Sequence, residues 1–141
     1  MNQYLLDTNI VIFLLKGKYR IHEKIAFAGV ENCFISEITL AELKIGAEKS
    51  SDPIQAHSAV NAFTQTVTVL PISGVLDVFA TEKVRLERAG TPMHDHFDVL
   101  LAATALFYNL VMVTNNVRHF SFFPNLAVED WVLPNVPPGF V

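Results

Sequence analysis

The 141-residue sequence has little cysteine and little charge: Cys33 is its only cysteine, and charged residues make up 17% of it. A single cysteine excludes an internal disulfide and a zinc site built from several cysteines, so we expect a protein of the reducing cytoplasm. Acidic residues outnumber basic ones by 14 to 10, which gives a formal net charge of −4. The chain therefore lacks the overall positive charge that many nucleic-acid-binding proteins carry, and contact with a polyanion must use local basic residues or a metal ion.

Long apolar runs are also missing. No segment approaches the about 20 apolar residues that a membrane-spanning helix needs. Residues 1–3 carry no positive charge and only three apolar residues separate them from Asp7, which is unlike a signal peptide. Hydrophobic residues nevertheless make up 51% of the sequence. Length and composition predict one domain over residues 1–141, with a proline-rich, irregular tail at residues 134–141.

Short apolar runs alternate with helical patterns along the chain. Residues 4–6 lead directly into the apolar segment 10–15, which predicts a buried strand followed by a buried helix. A loop is predicted at residues 91–94, before an apolar helix that begins at Asp95 or His96. This alternation predicts an α/β fold in which helices connect parallel strands. The predicted strands lie at residues 4–6, 33–35, 67–72, 111–113 and 126–128.

Polar side chains follow the predicted strands or stand in the first turn of a predicted helix. Asp7 comes directly after the first strand, and Glu42 lies one turn inside the helix after the second. Asp98 lies in the first turn of the later apolar helix, and Asn116 follows the fourth strand. Because parallel strands end at one edge of a sheet, we expect these side chains to converge. Converging carboxylates repel one another unless a cation neutralises them, and oxygen ligands favour Mg²⁺ or Mn²⁺.

Two of these carboxylates also have a purely structural interpretation. Asp is a preferred N-cap residue, so Asp7 could simply cap the first helix. Asp98 could interact with the dipole of its own helix, next to an Asp95 cap. His94 and His96 flank Asp95 without the spacing of the common helix-borne zinc pair, so we predict no zinc site there. The residues alone leave the structural and the metal-binding interpretation open.

Two further features each have two interpretations. Glu42 stands three residues after Thr39, which is the spacing of a capping box. If Ser36 caps the helix instead, Glu42 can face the same crevice as Asp7. The densest basic stretch, residues 16–20, is either a solvated loop or a contact for phosphate beside Asp7.

Four short motifs surround the polar residues described above, in a fixed order. They are Leu5-Leu6-Asp7-Thr8-Asn9, Ser36-x-x-Thr39-x-x-Glu42-Leu43 with Gly46, Asp98-x-x-Leu101-Ala102-Ala103-x-Ala105, and Val113-Thr114-Asn115-Asn116-x-x-x-Phe120. Each motif alone is weak. Their ordered combination over nearly the whole chain resembles the PIN-domain family, specifically its VapC-type toxins.

The resemblance implies a three-layer α/β/α fold around a central, mainly parallel sheet of about five strands. It implies a Mg²⁺- or Mn²⁺-dependent endoribonuclease that acts on RNA such as tRNA or rRNA. It also implies a VapB-type antitoxin as the partner and a homodimer as the assembly. A non-catalytic or weakly active metal- and RNA-binding module on the same scaffold is the rival interpretation.

The resemblance also assigns roles to residues by position. The metal ligands would be Asp7, Asp98 and Glu42, the last directly or through water. Thr8 and Asn9 would orient Asp7 and the other ligands, with Thr114 as a supporting donor. Asn116 stands at the last acidic position of the broader family, and its neutral amide puts a second metal in doubt.

Overall fold

The computed structural model describes residues 2–91, 95–134 and 137–139. In these residues the chain forms five strands and seven α-helices, with single 3₁₀ turns at Val30–Asn32 and Ser73–Val75. The strands are β1 (Tyr4–Leu6), β2 (Cys33–Ser36), β3 (Thr68–Leu70), β4 (Val111–Val113) and β5 (Val128–Glu129). The helices are α1 (Thr8–Leu15), α2 (Ile21–Ala28), α3 (Glu37–Lys49), α4 (Pro53–Thr64), α5 (Leu76–Arg88), α6 (His96–Tyr108) and α7 (Val117–Phe120).

All five strands lie in one parallel sheet with the order β3-β2-β1-β4-β5. The chain builds outward from β1 through β2 to β3, and then returns to the other side of β1 for β4 and β5. The strand order therefore reverses between β1 and β4. In open α/β sheets, ligands bind in the crevice at this point, outside the carboxyl ends of the strands.

Helices cover both faces of the sheet because neighbouring strand residues point to opposite sides. Leu6 and Val113 pack in one cluster with residues of α1 to α4. Leu5 and Met112 pack in a second cluster with residues of α5 and α6 and with Phe120 of α7. Helix α6 is apolar almost all round, and its residues 99–105 are all buried. The predicted three-layer α/β/α fold with a parallel sheet of five strands is confirmed.

Several element boundaries differ from the sequence-based ones. Strand β3 stops at Leu70, because Pro71 has no N–H to continue the ladder. The last strand begins at Val128 rather than at residue 126, since the N–H of Leu126 closes a turn onto the carbonyl of Phe123 at 3.1 Å. Residues 117–120 form α7, a single helical turn that the sequence pattern did not indicate.

The described part of the carboxyl-terminal segment lies against the domain. Glu129 is buried, and its Oε1 accepts hydrogen bonds from the indole N–H of Trp131 and the backbone N–H of Gly139, both at 3.0 Å. The ammonium group of Lys24 donates to the carbonyl of Trp131 and, at 2.5 Å, to that of Leu133. Half of the predicted tail, residues 135–136 and 140–141, lies outside the described residues, as does most of the predicted 91–94 loop. The extent of the domain over residues 1–141 stays a prediction.

Membrane insertion finds no support in the helices. Across residues 2–91, 95–134 and 137–139, none of them combines the length and the apolar character that a bilayer crossing needs.

Candidate active site

Asp7 lies at the carboxyl end of β1, and it is both an N-cap and a buried carboxylate of the crevice. The residue is 7% exposed. Its Oδ1 accepts a hydrogen bond from the backbone N–H of Thr8 at 2.7 Å, and its Oδ2 accepts one from the hydroxyl of Thr114 at 2.8 Å. Burial raises the pKa of Asp7 above its ordinary value, although both hydrogen bonds act in the opposite direction. The two interpretations of Asp7 are therefore compatible.

Glu42 does not form a capping box. Ser36 is the N-cap of α3, and its hydroxyl accepts from the backbone N–H of Ile38 at 3.1 Å. The Oε1 of Glu42 instead accepts a hydrogen bond from the hydroxyl of Thr8 at 2.7 Å, across 34 residues of sequence. The Thr8 hydroxyl also lies 3.1 Å from that of the fully buried Thr39. Glu42 is thus linked to the residue that follows Asp7.

Asp98 approaches the same site from the first turn of α6. The cap of that helix is Asp95, which accepts from the backbone N–H of Phe97 at 2.9 Å. The Oδ2 of Asp98 instead lies 3.3 Å from Nδ1 of His119. The side chain of Asp98 is 21% exposed. Burial raises the pKa of Asp98, as do the charges of Asp95 and Glu42, while His119 acts to lower it.

The segment after β4 borders both of these carboxylates. Thr114 is fully buried, and besides donating to Asp7 its hydroxyl accepts the backbone N–H of Asn116 at 3.0 Å. The backbone carbonyl of Asn116 accepts the N–H of His119, also at 3.0 Å. The side chains of Asn116 and Asn9 are exposed, and neither makes a side-chain hydrogen bond within the described residues. Their predicted roles toward a ligand stay predictions.

The structure places Asp98 within range of the charges of both Asp7 and Glu42. The charge of Asp98 acts on Asp7, and that of Glu42 acts on Asp98, each in the direction that disfavours a second negative charge. No group of three His, Cys, Asp or Glu side chains in the described ranges is arranged to hold an ion together. Mg²⁺ seldom uses such an all-protein cage, because it keeps several waters and takes one or two carboxylates plus substrate phosphate. Direct contact from Asp7 and Asp98, with Glu42 acting through water, fits this preference.

A groove of about 530 Å³ opens beside Glu42, between α1 and the α3–α4 pair, and most of its lining is apolar. Lys16, from the basic stretch at residues 16–20, lines the same groove. Arg20, at the other end of that stretch, forms an exposed ion pair with Glu23 at 2.7 Å. The structure therefore places one cation of the stretch close to Glu42, and a phosphate contact there stays a prediction.

His119 is the site residue that the sequence argument did not select. It lies 21 residues from Asp98 along the chain, so no local spacing links them. One feature of the sequence could have pointed to His119. It stands just before Phe120, the last residue of the fourth motif, which begins at the carboxyl end of β4. A titratable side chain one short turn beyond a strand end is a candidate for the crevice of an α/β sheet.

Comparison with known protein families matches residues 4–124 to the PIN domain. The chain belongs to the PIN-domain family. A curated relative from Salmonella typhimurium, named tRNA(fMet)-specific endonuclease VapC, is 37% identical over 133 residues, which cover 93% of this chain and 99% of the relative. Because this relative and others at 31% identity or more are named as ribonucleases or endonucleases of the VapC type, this PIN domain is a VapC-type ribonuclease.

Several of the solved structures with the same fold are VapBC complexes. DNA-bound VapBC from Salmonella typhimurium has a chain with a TM-score of 0.84 to this PIN domain, at 35% identity over 93% of this chain and 99% of that one. VapBC2 from Rickettsia felis, bound to a promoter DNA fragment, has a chain with a TM-score of 0.82, at 29% identity over 91% and 98%. The family resemblance of the four motifs is confirmed.

Proposed function

We propose that this PIN domain is a Mg²⁺- or Mn²⁺-dependent endoribonuclease and the toxin of a VapBC-type toxin–antitoxin pair. One observation carries the catalytic part of the proposal. Carboxylates from three separate elements, Asp7, Glu42 and Asp98, meet where the strand order of the sheet reverses, and the hydroxyls of Thr8 and Thr114 fix two of them. Such a concentration of partly buried negative charge is costly without a cation.

The metal would be held by Asp7 and Asp98, with Glu42 acting through water. When bound, Mg²⁺ or Mn²⁺ supplies a Lewis acid that polarises a phosphoryl oxygen and makes a water molecule more acidic. RNA would complete the coordination through its own phosphate.

The surrounding residues would orient these ligands. The hydroxyl of Thr114 donates a hydrogen bond to Oδ2 of Asp7, and the backbone N–H of Thr8 donates one to Oδ1. The hydroxyl of Thr8 ties Glu42 to the same turn. Asn9 and Asn116 are exposed in the adjacent helical turns, where their amide groups can donate to the phosphate or to the leaving oxygen.

The substrate and the partners follow from the relatives. Since the Salmonella relative is named for tRNA(fMet), initiator tRNA is the first substrate to test, with other tRNA and rRNA as comparisons. Two of the neighbouring structures are VapBC complexes from Salmonella typhimurium and Rickettsia felis, which supports a VapB-type antitoxin as the partner here. The proposal includes a homodimer and a cytoplasmic location, where RNA substrates and a cognate antitoxin are both made.

The test is metal-dependent cleavage by the purified full chain after any bound antitoxin has been removed under denaturing conditions and the chain refolded. Initiator tRNA and a mixture of tRNA and rRNA are incubated with Mg²⁺, Mn²⁺ or EDTA. We expect cleavage with either metal, none in EDTA, and none for Asp7→Asn. Asp77→Asn, an exposed carboxylate of α5, is the matched control and should cut like the wild type.

Metal binding without cleavage of any RNA would contradict the proposed activity and favour a binding module on the PIN scaffold. Cleavage that persists in EDTA or in Asp7→Asn would contradict the proposed metal site.

A further inference from the structure

We propose that His119 is a positioning residue for the Asp98 carboxylate, in the way that Thr114 is one for Asp7. The inference rests on the proposed function, because the position of Asp98 matters for catalysis only if Asp98 holds the metal. It gives a role to His119, which stands at an unspecified position of the fourth motif.

The contact between the two side chains fixes the form of the imidazole. Nδ1 of His119 lies 3.3 Å from Oδ2 of Asp98. An ionised carboxylate can only accept hydrogen bonds, so Nδ1 must carry the proton and donate it. This leaves Oδ1 of Asp98 without a hydrogen-bond partner in the described part of the chain, and therefore available to an ion.

His119 is well placed because α7 is anchored in the core. The next residue, Phe120, is 1% exposed and packs in the cluster formed by α5 and α6. The backbone N–H of His119 donates to Asn116, whose own N–H donates to the hydroxyl of Thr114. Since Thr114 in turn donates to Asp7, the short segment from Thr114 to His119 holds one carboxylate at each end. A small shift of this segment would move both carboxylates together.

A second histidine–carboxylate pair, His57 and Glu48, allows the exposure of the two carboxylates to be compared. His57 of α4 lies 3.0 Å from Oε1 of Glu48 of α3, and the side chain of Glu48 is 74% exposed. The side chain of Asp98 is only 21% exposed. Water can replace the imidazole at Glu48, whereas the less hydrated Asp98 depends more on a protein donor. The negative charges of Asp95 and Glu42 raise the pKa of Asp98, and the contact with His119 acts in the opposite direction.

The experiment measures Mn²⁺ affinity rather than activity alone. The wild type, His119→Ala, His119→Asn and the matched control His57→Ala are stripped with EDTA and titrated with Mn²⁺ by calorimetry and by the EPR signal of free Mn²⁺. Removal of a residue that orients a metal ligand typically weakens binding by about 10-fold to 100-fold, and we expect a loss in this range for His119→Ala. Asn can place an amide N–H close to the position of Nδ1, so His119→Asn should recover most of the affinity. His57→Ala should bind like the wild type.

The outcomes separate this inference from the proposed function. If the wild type binds Mn²⁺ and cuts RNA but His119→Ala binds Mn²⁺ equally well, the positioning role is wrong and the proposed function stands. If His119→Asn binds as weakly as His119→Ala, the hydrogen bond is not what matters, and the inference is wrong. Absence of Mn²⁺ binding in the wild type would overturn both.

Pulsed EPR of the wild-type Mn²⁺ complex tests the remaining alternative. A directly coordinated imidazole nitrogen would give a strong ¹⁴N coupling, which would make His119 a ligand and overturn the positioning role. We expect no such coupling. Thermal unfolding of each variant checks that the fold is retained, and His119→Phe, which keeps a ring but has no N–H, replaces His119→Ala in the test if His119→Ala does not fold.

Discussion

Asp7 and Asp98 have the same type of side chain, but the surrounding structure holds the two carboxylates in different ways. Asp7 is buried at the end of β1, with one oxygen bonded by a backbone N–H and the other by the hydroxyl of Thr114. Asp98 lies nearer the rim of the site, and His119, its hydrogen-bond partner, is itself 57% exposed. The Asp7 side is therefore fixed by the same contacts that hold the fold. We therefore expect changes on the Asp98 side to have little effect on stability.

The largest expected effect comes from removing either charge. Asp7→Asn and Asp98→Asn should each reduce RNA cleavage by about 100-fold or more, because each removes a carboxylate that is proposed to bind the metal. Both variants should stay folded, since removing one of several mutually repelling carboxylates seldom destabilises a metal-free site. Cleavage assays and denaturant unfolding in EDTA measure the two quantities. Unfolding of either variant would instead favour a purely structural role, as the cap of α1 for Asp7 or beside the dipole of α6 for Asp98.

The pH dependence of the stability of Asp7→Asn tests how burial affects Asp7, the more buried of the two carboxylates. Burial raises the pKa of Asp7, so ionised Asp7 opposes folding near neutral pH when no cation is bound. Below its ordinary value of 3.8, Asp7 is neutral in the folded and unfolded states, and this penalty is absent. In EDTA, the stability of the variant relative to the wild type should therefore be highest at neutral pH and should fall as the pH decreases.

The third prediction compares Thr114 and His119 by their effect on stability. Thr114→Val leaves a buried oxygen of Asp7 and the backbone N–H of Asn116 without their partner, which should cost about 1–3 kcal/mol of unfolding free energy. His119→Ala removes an exposed side chain and should change it by about 0.5 kcal/mol or less. Thr114→Ser keeps the hydroxyl and is the matched control. Equal destabilisation by Thr114→Val and His119→Ala would contradict the proposed difference between the Asp7 side and the Asp98 side of the site.

Glu42→Gln should have an intermediate effect on cleavage. The amide oxygen can still accept the hydroxyl of Thr8, so the link between α1 and α3 is retained while the charge is lost. Because Glu42 is proposed to act through water, we expect about a tenfold loss, which corresponds to about 1.4 kcal/mol in the barrier. Glu48→Gln, on an exposed position of the same helix, is the control. A loss as large as that of Asp7→Asn would show that Glu42 binds the metal directly.

The smallest effect is expected for Asn116→Ala. In the structure the backbone of Asn116, rather than its side chain, makes the contacts with Thr114 and His119. Substitution by Ala keeps this backbone, so cleavage should fall by about tenfold or less, and stability by about 0.5 kcal/mol or less. A larger loss of cleavage would indicate that the amide of Asn116 contacts the RNA phosphate or the leaving oxygen.

Much of the fold could be predicted because its signals are local. An apolar run that ends at a polar residue and continues into an apolar helix identified β1 and α1, and Asp52 followed by Pro53 gives the start of α4. The predictions were weakest where structure is short and depends on its surroundings. Helix α7 is a single turn that is stabilised by burial of Phe120, and its helical spacing is too brief to detect from sequence.

The sequence by itself determined the alternating elements, the residue at each strand end and, through four ordered motifs, the family. These depend on residue type and spacing, which the chain displays directly. Only the tertiary structure decided that Ser36 rather than Thr39 caps α3, that Glu42 therefore bonds to Thr8, and that His119 meets Asp98. The last two contacts join residues 34 and 21 positions apart, and only the packing of α1 against α3 and of α6 against α7 brings them together.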